Sequence, residues 1–414
     1  MSFWDIFRKP SNSKPQTPAM TSWAAATASG DSSTQQEDGA QVEVYDMQGK
    51  RLDLGEREYK TSGGEGAVYS FPSNPRILVK IYKGKTLEKN DKMKEIQARI
   101  MDMAGNSRMT SQTNMAWPLM PVFNANRNII GFAMRKCEGN SLLALRGPSS
   151  IRRFFPGWNR RNLVETALDF VQKVKLLANQ GIFINDFNPA NFLVDAKGRV
   201  SFIDCDSYQV PAARGGVHVS RTYFPSYSAP ELLKNNSLLG QQRNIHQVEF
   251  GTAMIVFHII MCGLHPYSYY DPKHKSECSS PDENLLKGRC PIGLGSGCIM
   301  PPGIWYNLWS HLTCSMKNAF IMTFRDGHAD PGSRASLDRL EAELIKMLHV
   351  MSQDPARENL MPQVAKPYNA DYASSSKTGN GQPFRPYPAK NSSGKNDYRS
   401  RNWRKNAGNN TYTP

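Results

Sequence analysis

Long hydrophobic runs are missing from this chain of 414 residues; the longest, Thr252–Leu264, is only 13 residues and stops at His265-Pro266. That is short of the roughly 20 apolar residues a membrane-spanning helix needs, and it suits a buried core helix instead. Cysteine is also sparse, at seven residues with no C-x-x-C pair. An odd count without paired spacing excludes a disulfide framework and a zinc knuckle. Cys278, Cys290, Cys298 and His274 are too irregularly spaced to match a ligand pattern, so reduced cytosolic thiols are the simpler reading. Met1–Pro10 holds Trp4, Ile6 and Phe7 but lacks the apolar run of a secretory leader. A cytoplasmic location is therefore expected. Acidic residues are in deficit, 36 against 51 Lys and Arg, for a net charge of +15. Such a surface suits nucleic acid, an anionic membrane or a phosphorylated ligand, and charge alone does not choose among them.

What is present is an ordinary globular composition, with 39% hydrophobic residues and 31 glycines. At roughly 100–200 residues per domain, the length allows two or three core-forming units. Residues 1–40 and 353–414 are rich in Ser, Asn, Gln, Pro and Gly without periodic apolar positions. Neither end buries enough surface to offset the entropy of ordering it, so both are read as disordered tails. The C-terminal one is basic, with ten Lys/Arg against four Asp/Glu. Tyr387, Tyr398 and Trp403 interleave its charges between Lys377 and Lys405, a pattern that can stack on single-stranded bases. A solvated tail is the plainer alternative.

Between the tails, short β-branched or aromatic runs at Val42–Tyr45, Arg51–Leu54, Ala67–Phe71 and Ile77–Tyr82 read as an antiparallel meander. Thr86–Met103 follows with Met93, Ile96, Ile100 and Met103 at helical spacing. Met115–Val122 and Asn128–Met134 flank Asn124-Ala125-Asn126 as a hairpin. From about residue 140 the pattern turns helical, with a stripe from Leu163 to Leu177 and further segments at about 246–263, 304–324 and 335–350. Two short strands, Phe192–Val194 and Val200–Ile203, interrupt it. The expectation is a small β-rich lobe with one helix over 41–139 and a larger helical lobe over 140–352.

Three clusters carry chemistry. Ser62-Gly63-Gly64-Glu65-Gly66-Ala67-Val68-Tyr69 is a glycine-rich turn between strands, followed by Leu78-Val79-Lys80-Ile81-Tyr82. Such glycines let backbone N–H groups approach phosphates, and a lysine on the next strand can reach the same phosphates. In Ile184-Asn185-Asp186-Phe187-Asn188-Pro189-Ala190-Asn191, Asp186 precedes Asn191 by five residues, and Asp204-Cys205-Asp206 begins thirteen residues later. That spacing presents a carboxylate to a hydroxyl, and an amide oxygen and a second carboxylate to Mg²⁺. Third, Glu231 in Ala229-Pro230-Glu231 and the distant Arg334 are read as a buried bidentate pair.

The order of these features resembles the protein kinase fold over residues 54–350. Gly63–Tyr69, Val79–Tyr82, Ala116-Trp117-Pro118, Asn188–Val194, Ile203–Val210 and Gly263–Tyr267 look more narrowly like a bacterial subfamily. It is that of the YegI-like and TerY-associated serine/threonine kinases. The resemblance implies an α+β bilobal fold and an ATP- and Mg²⁺-dependent protein kinase acting on a Ser/Thr hydroxyl, itself included. By the same resemblance, Gly63, Gly64 and Gly66 cover the phosphates, with Val68, Met134 and Lys136 around the adenine. Lys80 would pair with the phosphates and with Glu95, Glu88 being on the same helix. Asp186 would be the base or hydroxyl-orienting group, and Asn191 and Asp204 the Mg²⁺ ligands. A metal-dependent protein phosphatase and a von Willebrand A protein are the partners the subfamily implies.

The departures from that pattern are specific. Thr61 replaces the first glycine of the loop, and Ile184-Asn185 replace the usual His-Arg. Without that arginine, a phosphate on the following segment lacks its usual guanidinium, so regulation without that switch is expected. Asn188 and Phe224 replace a bridging lysine and threonine, and His246 stands where an Asp normally anchors the catalytic loop. Asp206 replaces a glycine and is either a further magnesium ligand or a solvated charge. Two other readings stay open at this point: a small-molecule phosphotransferase of the aminoglycoside- or choline-kinase kind, and a nucleotide-binding scaffold without catalysis.

Overall fold

The computed structural model describes residues 43–58, 66–83, 90–268, 280–293 and 304–361, all within one compact unit that extends to Gln363. The smaller lobe is built on a six-stranded antiparallel sheet. Its strands are β1 (Val44–Tyr45), β2 (Arg51–Leu52), β3 (Gly66–Ser70), β4 (Ile77–Tyr82), β5 (Met120–Phe123) and β6 (Ile129–Arg135). Their spatial order is β2-β1-β5-β6-β4-β3, which is not the meander expected from the sequence. β4 is buried at every position, so both its edges need partners: β3 takes one and β6 the other. The β5–β6 hairpin is thereby inserted between β4 and the short β1, where Tyr45 pairs with Phe123.

Helix α1 (Asn90–Gly105) packs Ile96, Ile100 and Met103 inward, the stripe read from the sequence. The hairpin strand expected from Met115 begins only at Met120. Pro118 has no N–H for a ladder, and Trp117 turns into the core to donate its indole N–H to the Met103 carbonyl at 2.8 Å.

The larger lobe is organised by two long helices, α2 (Arg160–Ala178) and α4 (Ile245–Ile260), with α3 (Pro230–Lys234) between them in the chain. Asn159 and Asn162 form a reciprocal cap at the start of α2, and Asn244 and Gln247 do the same for α4. Every residue of α4 from Val248 to Ile260 is buried, so the longest apolar run is a core helix, as expected. Around its Phe257 pack Trp305 and Trp309, tilted, and Phe320 and Phe324, edge to face. The single helix expected over 304–324 is divided into α5 (Ile304–Ser310) and α6 (Cys314–Ile321). Thr313 causes the break, because its hydroxyl accepts from Met316 N–H at 3.2 Å and so caps a new helix. Helix α7 (Leu337–Gln353) closes the lobe against α2.

Two short strands, β7 (Phe192–Val194) and β8 (Val200–Phe202), pair as the predicted hairpin at the boundary between lobes. Their Phe192 and Phe202 rings meet Phe170 of α2 at 5.0 and 5.4 Å between centroids. That aromatic contact fixes the two loops flanking the hairpin, which carry Asp186, Asn191 and Asp204, onto the large-lobe core. Among the described residues no helix is long and apolar enough to cross a membrane.

Candidate active site

The site forms where β4 faces the loops around the β7–β8 hairpin. Lys80 is placed by pairing on both sides, opposite Val68 of β3 and Phe132 of β6. The approach of β6 is close enough that a Cβ on Gly131 would lie 2.0 Å from the Lys80 carbonyl oxygen; only glycine allows this spacing. The Lys80 ammonium, 7% exposed with its residue, bonds Asp204 Oδ1 at 2.6 Å and Asp206 Oδ1 and Oδ2 at 2.8 and 2.9 Å. Burial disfavours its charge, but Asp206 and Asp204 outweigh that and hold Lys80 above the usual lysine pKa.

Asp206 is buried, and its Oδ2 also accepts the Tyr82 hydroxyl at 2.8 Å. Desolvation opposes its ionisation; Lys80, the Tyr82 hydrogen bond and the charge of Arg99 on α1 reverse the balance and lower its pKa. Asp204 enters this cluster from a left-handed backbone conformation, φ 57° and ψ 35°. An L-residue there is strained by roughly 1 kcal/mol, which aspartate tolerates better than most. Its side chain stays 42% exposed beside the Lys80 ammonium.

Across the hairpin loop, Asn191 donates its amide to Asp186 Oδ2 at 3.0 Å. The other oxygen, Oδ1, is buried and has no hydrogen-bond partner among the described residues. Burial, partly offset by the Asn191 bond and reinforced by the Asp204 charge, pushes the Asp186 carboxyl up to about 6. Phe187, next to Asp186, packs tightly against α4, where a Cβ on Gly251 would fall 2.2 Å from its Cδ2. The loop is held further by Asn185, whose amide donates to the Ser220 carbonyl at 2.6 Å.

The structure departs from several sequence expectations. Glu95 lies exposed on α1, and the carboxylates that hold Lys80 are Asp206 and Asp204. Asp206 is not solvated; it is buried against Lys80 and Tyr82. His246 does not reach the Asp186–Asn191 loop: its Nδ1 meets Glu249 Oε2 at 2.9 Å, and its carbonyl accepts from Arg334. The signal for Tyr82 was in the sequence, since it stands two residues from Lys80 and so on the same face of β4. Met134 is buried on β6, Gly66 opens β3, and Lys136 pairs with Glu58 just past the end of β6. Gly63, Gly64 and Glu88 lie outside the described residues, as do Cys278, Cys298, His274 and residues 362–414 of the basic tail; its first residues are ordered, with Pro355–Glu358 a short 3-10 turn, Glu358 paired to Arg161 and Leu360 buried.

Glu231 and Arg334 meet as expected, Nη1 to Oε1 at 2.9 Å and Nη2 to Oε2 at 2.7 Å. Burial works against the Glu231 charge, but the guanidinium wins and keeps its pKa below the ordinary value. Asp102 on α1 also accepts from Ala213 N–H at 3.0 Å and meets His218 Nε2 at 2.7 Å. It ties α1 to the segment that follows Asp206, a contact with no sequence signal.

No protein-family model matches the chain. It is 27% identical over 229 residues to Protein kinase YegI of Escherichia coli strain K12, covering 55% of this chain and 34% of that protein. Protein kinase YegI of Escherichia coli O157:H7 matches at 27% over 208 residues, 50% of this chain and 31% of that protein. The chain is thus similar, over about half its length, to proteins named as protein kinases. It spans about a third of the length of these curated relatives. Among solved structures, the ROP18 kinase domain in complex with AMP-PNP and sucrose aligns with a TM-score of 0.46 and 16% identity, over 76% of this chain and 86% of that one. The chain has an α+β, two-lobed organisation, with its charged centre between the lobes.

Proposed function

We propose that the chain is an ATP- and Mg²⁺-dependent protein kinase that moves the γ-phosphoryl group of ATP to a Ser or Thr hydroxyl. The observation that carries this reading is Asp186: one oxygen fixed by Asn191, the other buried and unpartnered, with the carboxyl near pKa 6. An oxygen so placed can accept a hydroxyl proton as the hydroxyl oxygen bonds to phosphorus and the bond to the ADP oxygen breaks. Lys80 is the cation for the nucleotide phosphates, and Gly63, Gly64, Gly66, Val68, Met134 and Lys136 surround the nucleotide in this reading. Asn191 and Asp204 fit magnesium, because the Asn191 amide nitrogen is taken by Asp186, leaving its oxygen, and Asp204 adds a half-exposed carboxylate. An all-oxygen pair completed by phosphates and water is what this hard cation takes. Bound there, it would neutralise phosphate charge.

The paired Glu231 and Arg334 favour a protein acceptor over a small molecule, since the resemblance assigns that pair to the peptide-docking half of a protein kinase. A cytoplasmic location and the partners expected from the resemblance, a metal-dependent phosphatase and a von Willebrand A protein, belong to the same reading. The test is incubation of the whole chain with Mg²⁺ and labelled ATP, with and without an added protein acceptor. Label should enter protein in the wild type and fall at least about 100-fold in Asp186→Asn and Asp204→Asn. Equal labelling in all three would defeat the proposal, and label in a metabolite pool alone would move it to a small-molecule phosphotransferase.

A further inference from the structure

We infer that Asp206 is the positioning residue for Lys80, taking the place that the resemblance gives to a glutamate on α1. The inference rests on the phosphoryl-transfer reading for its purpose, but its geometry stands on its own. Asp206 grips the ammonium with both oxygens, at 2.8 and 2.9 Å, and is buried. Its Oδ2 is itself fixed by the Tyr82 hydroxyl at 2.8 Å. Lys80, Tyr82 and Asp206 thus form a closed set, and two of the three members stand on one face of β4.

The other carboxylate on Lys80, Asp204, meets the ammonium through Oδ1 at 2.6 Å and is 42% exposed. A half-exposed partner exchanges readily with an incoming ligand, whereas a buried one that grips with both oxygens keeps its ion in place. Asp206 therefore aims the lysine while Asp204 remains the partner that can turn to other work. Helix α1 makes the opposite contribution from the expected one. Glu95 points to solvent, and the charge that α1 offers this centre is Arg99, which favours ionised Asp206.

One consequence is regulatory. A lysine clamped from α1 is competent only when α1 is docked, so movement of that helix switches the enzyme. Here the clamp comes from the residue two after Asp204, at the start of the following segment, so Lys80 is held without a carboxylate from α1, whose part is the Arg99 charge and the packing of Ile96 and Ile100 in the cluster that holds Tyr82. Control of this site is then expected to act through the Asp204–Ser207 turn or through the nucleotide, and not through a lysine–helix ion pair.

The test is binding of a fluorescent ATP analogue to the whole chain, measured in EDTA and again in Mg²⁺. Asp206→Asn should weaken binding about ten-fold or more in both conditions, the scale of losing one aimed charge-assisted contact. Asp206→Glu should restore part of that loss, and Glu95→Gln should stay within about two-fold of wild type on the same scale. A loss confined to the Mg²⁺ condition would make Asp206 a metal ligand and overturn the inference. So would an equal loss in Glu95→Gln, or none in Asp206→Asn.

Should the wild type bind no nucleotide, the phosphoryl-transfer reading falls, and thermal unfolding then judges the pair alone. Asp206→Asn, Lys80→Met and the double variant form a cycle in which coupled residues are non-additive. The double variant should melt no lower than the worse single one. Additive lowering would show that the two side chains do not depend on each other, and would overturn the inference by itself.

Discussion

Gly251→Ala tests how the catalytic loop is seated. The added methyl would stand 2.2, 2.5 and 2.6 Å from Cδ2, Cε2 and Cγ of Phe187. Carbon atoms rest about 3.5–4.0 Å apart at optimal separation, so the ring or the helix has to shift by roughly 1 Å. Neither has room. Phe187 is 4% exposed in the large-lobe core, and Gly251 sits in the fully buried stretch of α4. Overpacking of this kind costs typically about 1–3 kcal/mol, which for a unit of this size lowers Tm by roughly 2–8 °C. The functional effect should be larger than the thermal one. Asp186 is the neighbour of Phe187, and a displacement near 1 Å at a reacting group costs on the order of 100-fold in rate. Phosphate transfer and thermal unfolding measured on the same preparation separate the two effects. The double variant Gly251→Ala/Phe187→Leu, with a smaller side chain facing the methyl, should recover part of both. Wild-type kcat and Tm in Gly251→Ala would refute the contact, and lost activity that Phe187→Leu fails to relieve would refute its path through Phe187.

Further outcomes follow from the charged groups. Phosphate transfer should rise with pH about ten-fold per unit below the Asp186 midpoint near 6 and level off above it, because only the ionised carboxylate accepts a proton; a rate flat between pH 5 and 7 would contradict that role. Arg334→Ala should lower stability by about 3–5 kcal/mol, the cost of stranding a buried partner, since Glu231, the Gly327 carbonyl and the His246 carbonyl all lose a donor. Chemical denaturation checks this, and a change under about 1 kcal/mol would place the pair in the surface class. His258 is buried and neutral, accepting from Tyr227 while donating to the Leu142 carbonyl, and its pKa is held down to about 4, chiefly by burial. Its folded pKa lies below the unfolded value of about 6.5, so its contribution is complete above pH 6.5 and is lost as pH falls toward 4. His258→Gln should flatten that part of the stability profile, and an unchanged acid limb would disprove the assignment.

What the sequence made legible was whatever depends on periodicity and on short-range spacing. The buried run at Thr252–Leu264, the α1 stripe and the β7–β8 hairpin all express a local repeat, and all are found where the pattern put them. Asp186 and Asn191 belong to one loop, and their hydrogen bond closes within five residues. The meander failed for a different reason. Strand order is decided by which edge has an unmet ladder, and β4 needed two neighbours that local pattern could not rank. Glu95 failed similarly, because helical spacing gives the phase of a face but not how far the helix is rotated toward Lys80. The role of Asp206 was hidden by chemistry and not by position: a lone acidic residue after Asp204 reads as a further magnesium ligand or a solvated charge until the Tyr82 hydroxyl and the Lys80 ammonium are seen beside it.

The missing arginine beside Asp186 takes its meaning from what replaces it. Where a guanidinium would wait for a phosphate, Asn185 already bonds the Ser220 carbonyl at 2.6 Å. Gln209 adds two bonds to the backbone of Arg243, its oxygen accepting from the N–H at 2.7 Å and its amide donating to the carbonyl at 3.4 Å. Phe183 and Gln209 exchange backbone bonds, both at 2.9 Å, and Asp102 holds the Ala213–His218 turn from α1. Farther along, His265 donates to the Ser226 carbonyl at 2.7 Å. Apart from the Asp102 contacts these are neutral groups, and none needs a phosphate to be satisfied. A segment ordered by neutral hydrogen bonds is insensitive to the charge change that phosphorylation brings, whereas one ordered by an unpaired arginine depends on it. On the phosphoryl-transfer reading proposed above, the substitution that removes the arginine therefore supplies a neutral anchor in its place, and phosphorylation of this segment is expected to leave its order unchanged.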